Sequence, residues 1–168
     1  MSTHRDSFGI RRRRGLGLLF SSLAAWAAPA GAASVPTRPD KLVLGEAEWK
    51  RRLTPAQYQV LREEGTERPG SSPLDREKRR GTYHCAGCDL ALFVSSMKFD
   101  SGTGWPSFFE ALPTALGTKT DFKAFVPRTE YHCARCGGHQ GHVFDDGPKP
   151  TGKRYCNNGV ALRFQEAS

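Results

Sequence analysis

Four of the five cysteines stand in two pairs, Cys85-Ala-Gly-Cys88 and Cys133-Ala-Arg-Cys136, with 44 residues between them. No other feature limits the fold of this 168-residue chain as strongly. A C-x-x-C turn aims both sulfurs at one point, so two such turns supply the corners of a tetrahedral metal site. The chain between them must then leave that point and return to it. Four thiolates leave no open position on a metal, so the expected occupant is one structural Zn²⁺ rather than a catalytic one. Gly137-Gly138 after the second pair is expected to let backbone N–H groups approach the thiolates. The alternative is two disulfides, which an oxidising compartment permits.

The compartment is suggested by the first 32 residues. Arg11–Arg14 precede a 14-residue apolar run, Gly15–Ala28, and then Pro29-Ala30-Gly31-Ala32. A positive n-region, a short apolar h-region and an A-x-A site in that order read as an export signal. Cleavage is expected near Ala32/Ala33 and localisation in the periplasm. The run falls short of the roughly 20 residues that span a bilayer, so no stable membrane anchor is expected after cleavage. Arg13-Arg14-Gly15-Leu16 resembles a twin-arginine signal, which would export the protein folded and already metallated. The ordinary unfolded route stays open, and an Arg- and Ser-rich mitochondrial transit peptide is the other competitor. Without residues 1–32 the chain loses five arginines and one aspartate, and its formal charge falls from +8 to +4. The remaining basic runs, Lys50–Arg52 and Lys78–Arg80, read as solvated faces, and no nucleic-acid partner is expected.

Residues 33–41 read as a tether and 42–168 as a single domain. Trp49, Leu53, Tyr58 and Leu61 recur at near-helical spacing within Glu46–Glu64. Thr54 is expected to cap a second helix that starts at Pro55 and closes at Gly65. From Gly81 the pattern shifts to short strands: TYHC, ALFV, KAFVP, EYHC, HVFDD and YCNNGVALRF. In the last segment alternation puts Arg154, Cys156 and Asn158 on one face, which then runs into the core through Val160, Leu162 and Phe164.

Cys156 is left without a partner. A lone cysteine is usually a small buried hydrophobe. Here Arg154 shares its face and is expected to lower the thiol's pKa. His139 and His142 stand three apart in a glycine-rich stretch, with Asp146 four beyond. Two imidazoles, a carboxylate and an unpaired thiol point to a nucleophile with acid–base help, Asp146 orienting an imidazole.

Three stretches carry a family resemblance: KFDSGTGWPSFF (98–109), HCARCGGHQGHVFDDGP (132–148) and RYCNNGVALRF (154–164). With the segment 49–69, they resemble the B-type peptide methionine-R-sulfoxide reductases over roughly residues 42–164. The resemblance implies a mainly β fold, two antiparallel sheets in a sandwich or barrel-like core with short N-terminal helices. It implies Cys156 as nucleophile, with His139, His142 and Asn158 around the sulfoxide and Arg154 and Asp146 in support. Trp105 would receive the methionine methyl group, and Cys85, Cys88, Cys133 and Cys136 would hold zinc. Many relatives carry a resolving cysteine where this chain has Thr103. The implied cycle therefore uses one cysteine: Cys156 becomes a sulfenic acid, and a thioredoxin-like or other external thiol regenerates it. Oxidised proteins or peptides are the implied substrates. Departures from the family pattern are Gly70–Leu74, where an aromatic loop is common, and Asn157, where an apolar residue is common. Two rival classes stand beside this reading, an exported zinc-ribbon binding module without catalysis and a disulfide-rich structural protein.

Overall fold

Proline and a capping threonine divide the N-terminal helical segment. Helix α1 spans Glu46–Arg52 and α2 spans Pro55–Leu61. The Thr54 hydroxyl accepts from the Gln57 N–H at 3.3 Å, and the Gln57 side chain accepts from the Thr54 N–H at 3.1 Å. This reciprocal capping box satisfies donors that a helix start otherwise leaves open. Gly65 N–H closes the segment on the Gln59 carbonyl at 2.9 Å. Trp49, Leu53, Val60 and Leu61 are the faces the two helices bury.

The computed structural model describes residues 40–123 and 126–168. The proposed export signal and residues 33–39 of the tether lie outside the described residues. Asp40 of the tether and Leu42, the first residue after it, are already docked beside the second cysteine pair. Asp40 is ion-paired with Arg135 at 2.7 Å, and Leu42 N–H bonds the Arg135 carbonyl at 2.9 Å. Among the described residues no helix is long and apolar enough to cross a membrane.

Beyond residue 80 the short strands are β1 (Gly81–Cys85), β2 (Ala91–Val94), β3 (Lys98–Phe99), β4 (Ser107–Phe108), β5 (Leu116–Asp121), β6 (Arg128–Cys133), β7 (His139–Phe144), β8 (Arg154–Asn157) and β9 (Leu162–Glu166). They form a three-stranded sheet, β2-β1-β9, and a six-stranded sheet, β3-β4-β8-β7-β6-β5. Every pairing is antiparallel. The mainly β, two-sheet architecture expected from the sequence is the one found. Aromatic rings join the sheets. Phe93 of β2 stacks on Phe108 of β4 at 4.1 Å, and Tyr83 of β1 meets Phe108 edge-on at 4.9 Å. Tyr131 and Tyr155 extend that cluster across the larger sheet. Offset and edge-to-face pairs of this kind add about 1 kcal/mol each beyond their burial.

Two strand expectations are corrected. Of KAFVP (123–127), the described residues Lys123, Val126 and Pro127 stand outside any strand, and residues 124–125 lie outside the described residues. The strand is upstream at β5, paired residue for residue with β6 from Leu116↔Cys133 to Asp121↔Arg128. Its residues are mostly polar, so alternation did not mark it, while the apolar Phe122 and Val126 are exposed. YCNNGVALRF is not one strand but two, in different sheets. A 3₁₀ turn at Gly159–Ala161 separates β8 from β9. The Glu67 carboxylate accepts the N–H groups of Gly159 and Val160 there, which anchors the break.

One glycine fixes how closely β7 and β8 approach. A Cβ on Gly141 would lie 1.9 Å from the Cys156 carbonyl oxygen, a backbone atom with no room to yield. Gly141→Ala is therefore expected to cost about 3 kcal/mol in urea unfolding. It should also change the rate at which Cys156 is alkylated, since the strand carrying it must shift. Wild-type stability and alkylation in that variant would contradict the packing described.

Candidate active site

Residues paired across strands share a face of the sheet. One row across the larger sheet reads Ser107, Cys156, His142, Glu130, Lys119. Two residues along each strand the side chains return to the same face. Arg154, Phe144, Arg128 and Asp121 stand there on β8, β7, β6 and β5. These rows floor a cavity of about 270 Å³. Cys156, His142, Arg154, Phe144 and Arg128 line it from the sheet, and Thr66, Thr103 and Trp105 from loops above.

The loops are pinned by backbone contacts. The Trp105 indole N–H donates to the Glu67 carbonyl at 3.2 Å. Gly70 N–H donates to the Gly104 carbonyl at 2.6 Å. Gly104 has φ +84°, and a Cβ there would come within 2.8 Å of the Gly70 nitrogen. Only glycine suits both demands. Trp105 is thus fixed as a wall of the cavity.

His142 is held by a carboxylate that sequence reasoning missed. Its Nε2 lies 2.7 Å from Asp121 Oδ2. Asp146, expected to orient an imidazole, instead takes both Nε and Nη2 of Arg154 at 2.8 Å. Asp121 also accepts from the Lys123 backbone N–H at 2.8 Å and from Arg128 Nη2 at 2.7 Å. The Lys123 amide, His142 and Arg128 hold its pKa well below the ordinary carboxylate value. An ionised carboxylate only accepts, so His142 carries its proton on Nε2. Burial lowers the His142 pKa and Arg128 adds to that, while Asp121 opposes it. The neutral ring is left with a free lone pair on Nδ1, one strand away from Cys156.

Cys156 itself departs from expectation. Burial pushes its thiol pKa up, and the opposing pull of Arg154 and Thr103 does not overcome it. Arg154 sits over the Phe144 ring at 4.4 Å, so its charge is shared between Asp146, that ring and the thiol. At neutral pH the resting state is the thiol.

Of the two other expected site residues, His139 lies outside the cavity lining and Asn158 within it. His139 is 2% exposed and is not part of the cavity lining. Its ring stands 5.4 Å from that of His142 and its Nδ1 lies 2.9 Å from buried Glu130, off the line of a hydrogen bond. Asn158 borders the cavity, but both ends of its amide are already used. Oδ1 accepts from the Glu67 N–H at 3.0 Å and Nδ2 donates to the Gln140 carbonyl at 3.0 Å. Asn157 is fully buried and accepts from the Tyr131 hydroxyl at 2.8 Å. Its amide nitrogen donates to the Asn158 carbonyl at 2.8 Å, so the buried polar side chain is satisfied.

The four paired cysteines come together as a separate centre. Their sulfurs all lie within 4.8 Å of one another, with Cys85–Cys136 at 3.7 Å and Cys88–Cys133 at 3.4 Å. Those are non-bonded separations, far above the roughly 2.05 Å of a disulfide. The two-disulfide alternative is therefore overturned, and the four cysteines are positioned to hold a metal ion. Gly137 does not direct its N–H at a sulfur, as expected, but at the Cys133 carbonyl at 2.9 Å.

A family model described as "SelR domain" matches residues 53–166. The "Peptide methionine sulfoxide reductase MsrB" of Methanosarcina barkeri is 54% identical over 121 residues, covering 71% of this chain and 85% of that protein. The protein of the same name from Agrobacterium fabrum is 51% identical over 126 residues, 74% of this chain and 93% of its own. That of Bradyrhizobium diazoefficiens is 50% identical over 134 residues, 79% and 96%.

The buried imidazoles make stability depend on pH. His142 and His132 both have pKa values lowered by burial. Between those values and about 6.5 the unfolded chain binds more protons than the folded one. Stability is therefore full above pH 6.5 and falls as the pH drops through that window. The urea midpoint should fall between pH 8 and pH 5, and His142→Gln should flatten the fall. A midpoint that held or rose on acidification would contradict the assignment.

Proposed function

The chain belongs to the SelR-domain family and is a peptide methionine sulfoxide reductase, and on that premise we propose that it reduces the R epimer of protein-bound methionine sulfoxide by attack of Cys156. The observation that carries the reading is the pairing of Cys156 with His142 on the cavity floor, with the His142 tautomer fixed by Asp121. The thiol proton passes to His142 Nδ1, and the sulfur attacks the sulfoxide sulfur. His142 returns the proton to the sulfoxide oxygen, which makes that sulfur a better electrophile. Oxygen ends on Cys156 as sulfenic acid, and methionine leaves reduced. Trp105 and Phe144 offer apolar surface to the S-methyl group. Only one epimer then places its oxygen toward His142 while its methyl group meets those rings.

The resolving thiol comes from another molecule. All five cysteines of the chain are described, and the four other than Cys156 form the metal cluster. Thr103, beside Cys156, is an alcohol and does not reduce a sulfenic acid. A thioredoxin-like protein or a small thiol completes the cycle, releasing water and leaving a mixed disulfide that a second thiol clears.

Zinc is the proposed metal. Tetrahedral Zn–S bonds of about 2.3 Å put sulfurs about 3.8 Å apart, close to the separations here. Such an ion supplies cohesion to the fold and no open coordination position. Export to the periplasm in the folded, metallated state is proposed from the leader and accounts for bare thiolates surviving there.

The full chain should turn over the R and not the S epimer of a peptide methionine sulfoxide with dithiothreitol, and Cys156→Ser should abolish turnover. After one turnover without reductant, mass spectrometry should find a sulfenic acid on Cys156. An intramolecular disulfide would overturn the one-cysteine cycle. Protein recovered from a periplasmic fraction should begin near Ala33 and contain one zinc per chain. Recovery from the cytosol with an intact leader would overturn the export proposal.

A further inference from the structure

The pairing of β6 with β7 slips by one residue. Tyr131 stands opposite Gly141 but His132 stands opposite His139, so Gln140 is the extra residue of a bulge. A bulge re-aims the side chain it carries. Gln140 is fully buried, and its side chain is turned toward the four cysteines, where Nε2 lies 3.4 Å from Cys85 Sγ. Sulfur's large radius makes that a bonding distance. The cavity does not use this amide, and the four sulfurs converge without it.

Asn157 holds the other end of the Gln140 side chain. Tyr131, Gly141 and Asn157 form one row across β6, β7 and β8. The glycine in the middle leaves room for Tyr131 to reach across, and its hydroxyl donates to Asn157 Oδ1 at 2.8 Å. Asn157 Nδ2 donates to the Asn158 carbonyl at 2.8 Å and to Gln140 Oε1 at 3.4 Å. All three side chains are fully buried.

The direction of this chain is fixed by a backbone group. A carbonyl only accepts, so the Asn158 carbonyl requires the nitrogen of the Asn157 amide to face it. The second proton on that nitrogen faces Gln140, and only the amide oxygen there can accept it. Gln140 must therefore turn Oε1 to Asn157 and Nε2 to Cys85. With the amide reversed, two N–H groups would face each other and an oxygen would face the sulfur. A metal-bound cysteine is a thiolate, an acceptor, so a fixed donor matches the loaded state of the centre.

We propose that Gln140 is a positioning residue for the metal centre: its amide, oriented by Asn157, donates to the Cys85 thiolate and strengthens the hold of the four cysteines on their metal ion. The strand that carries Cys156 thereby contributes to metal binding through the very next residue. Groups that hold metal ligands from behind carry about ten- to a hundredfold in affinity.

The inference rests on the four cysteines holding a metal ion. The full chain is produced with Co²⁺ at the centre and titrated with a competing chelator, while the sulfur-to-cobalt charge-transfer band is recorded. Gln140→Met keeps an unbranched buried side chain and removes the donor. It should weaken Co²⁺ binding about tenfold or more and move the band to longer wavelength, because a thiolate without a donor gives up charge more easily. Asn157→Leu alters a side chain that bonds Tyr131, Gln140 and Asn158 but no cysteine. It should weaken binding by a smaller factor and move the band the same way. Tyr131→Phe leaves the Asn158 carbonyl to orient the chain and should match wild type. Wild-type affinity in Gln140→Met, or weakened binding with an unmoved band, would overturn the proposal, the second result assigning Gln140 to packing alone. A band shift in Tyr131→Phe as large as that in Gln140→Met would overturn it too. Gln140→Met and Asn157→Leu each suffice if the other does not fold. If the wild-type chain takes up no Co²⁺, the metal reading itself fails and the inference falls with it.

Discussion

Four sulfurs converging on one point tie the two sheets together. Cys85 and Cys88 lie in the β1–β2 hairpin of the smaller sheet, and Cys133 and Cys136 in the β6–β7 hairpin of the larger one. The two turns share one design. Cys85 N–H bonds the Leu90 carbonyl at 2.8 Å, and Cys133 N–H bonds the Gly138 carbonyl at 2.9 Å. Four residues after each first cysteine the backbone is left-handed, at Asp89 with φ 64° and at Gly137 with φ 68°. A metal held there closes a loop that chain entropy otherwise opposes. Leu61 packs against both turns, at Gly87 and at Gly138, and adds apolar contact to that closure.

The site depends on that clip. Strand β7 begins three residues after Cys136, so the second turn sets where His142 meets β8. Gln140 links the two centres directly. Its Nε2 donates to the Cys85 sulfur at 3.4 Å, and its carbonyl accepts from both the backbone and side-chain N–H groups of Asn158. Asn158 in turn holds the Glu67 backbone, and the Glu67 carbonyl holds the Trp105 indole. A path of ordinary hydrogen bonds therefore runs from a sulfur of the four-cysteine cluster to the Trp105 wall of the cavity.

What the sequence showed and what it hid divide along physical lines. Residue types whose chemistry is unusual could be found by spacing alone: the cysteine pairs, the unpaired Cys156, the two histidines, and the capped break at Thr54-Pro55. The carboxylate on His142 could not. Asp121 stands 21 residues before its partner, at the end of a mostly polar strand, and only the β5–β6–β7 register brings them together. Asp146 lay at a plausible spacing and proved to serve Arg154. The turn at Gly159–Ala161 was invisible for a related reason. The chain alternates cleanly through it, and what anchors the break is a glutamate more than 90 residues upstream.

The raised thiol pKa of Cys156 fits the proposed chemistry better than the depressed one expected from Arg154. Sulfoxide reduction to a sulfenic acid needs a nucleophilic sulfur and also a proton on the departing oxygen, and overall it consumes no proton from solvent. A preformed thiolate has already lost that proton and must recover one from elsewhere. A thiol beside a neutral imidazole keeps it in the site. In the proposed mechanism Asp121 holds His142 in the tautomer that takes the proton from sulfur and stabilises the imidazolium that gives it to oxygen. Burial, which looks like a handicap when Cys156 is considered alone, serves the proposed mechanism by keeping the proton with the pair until a sulfoxide is there to receive it.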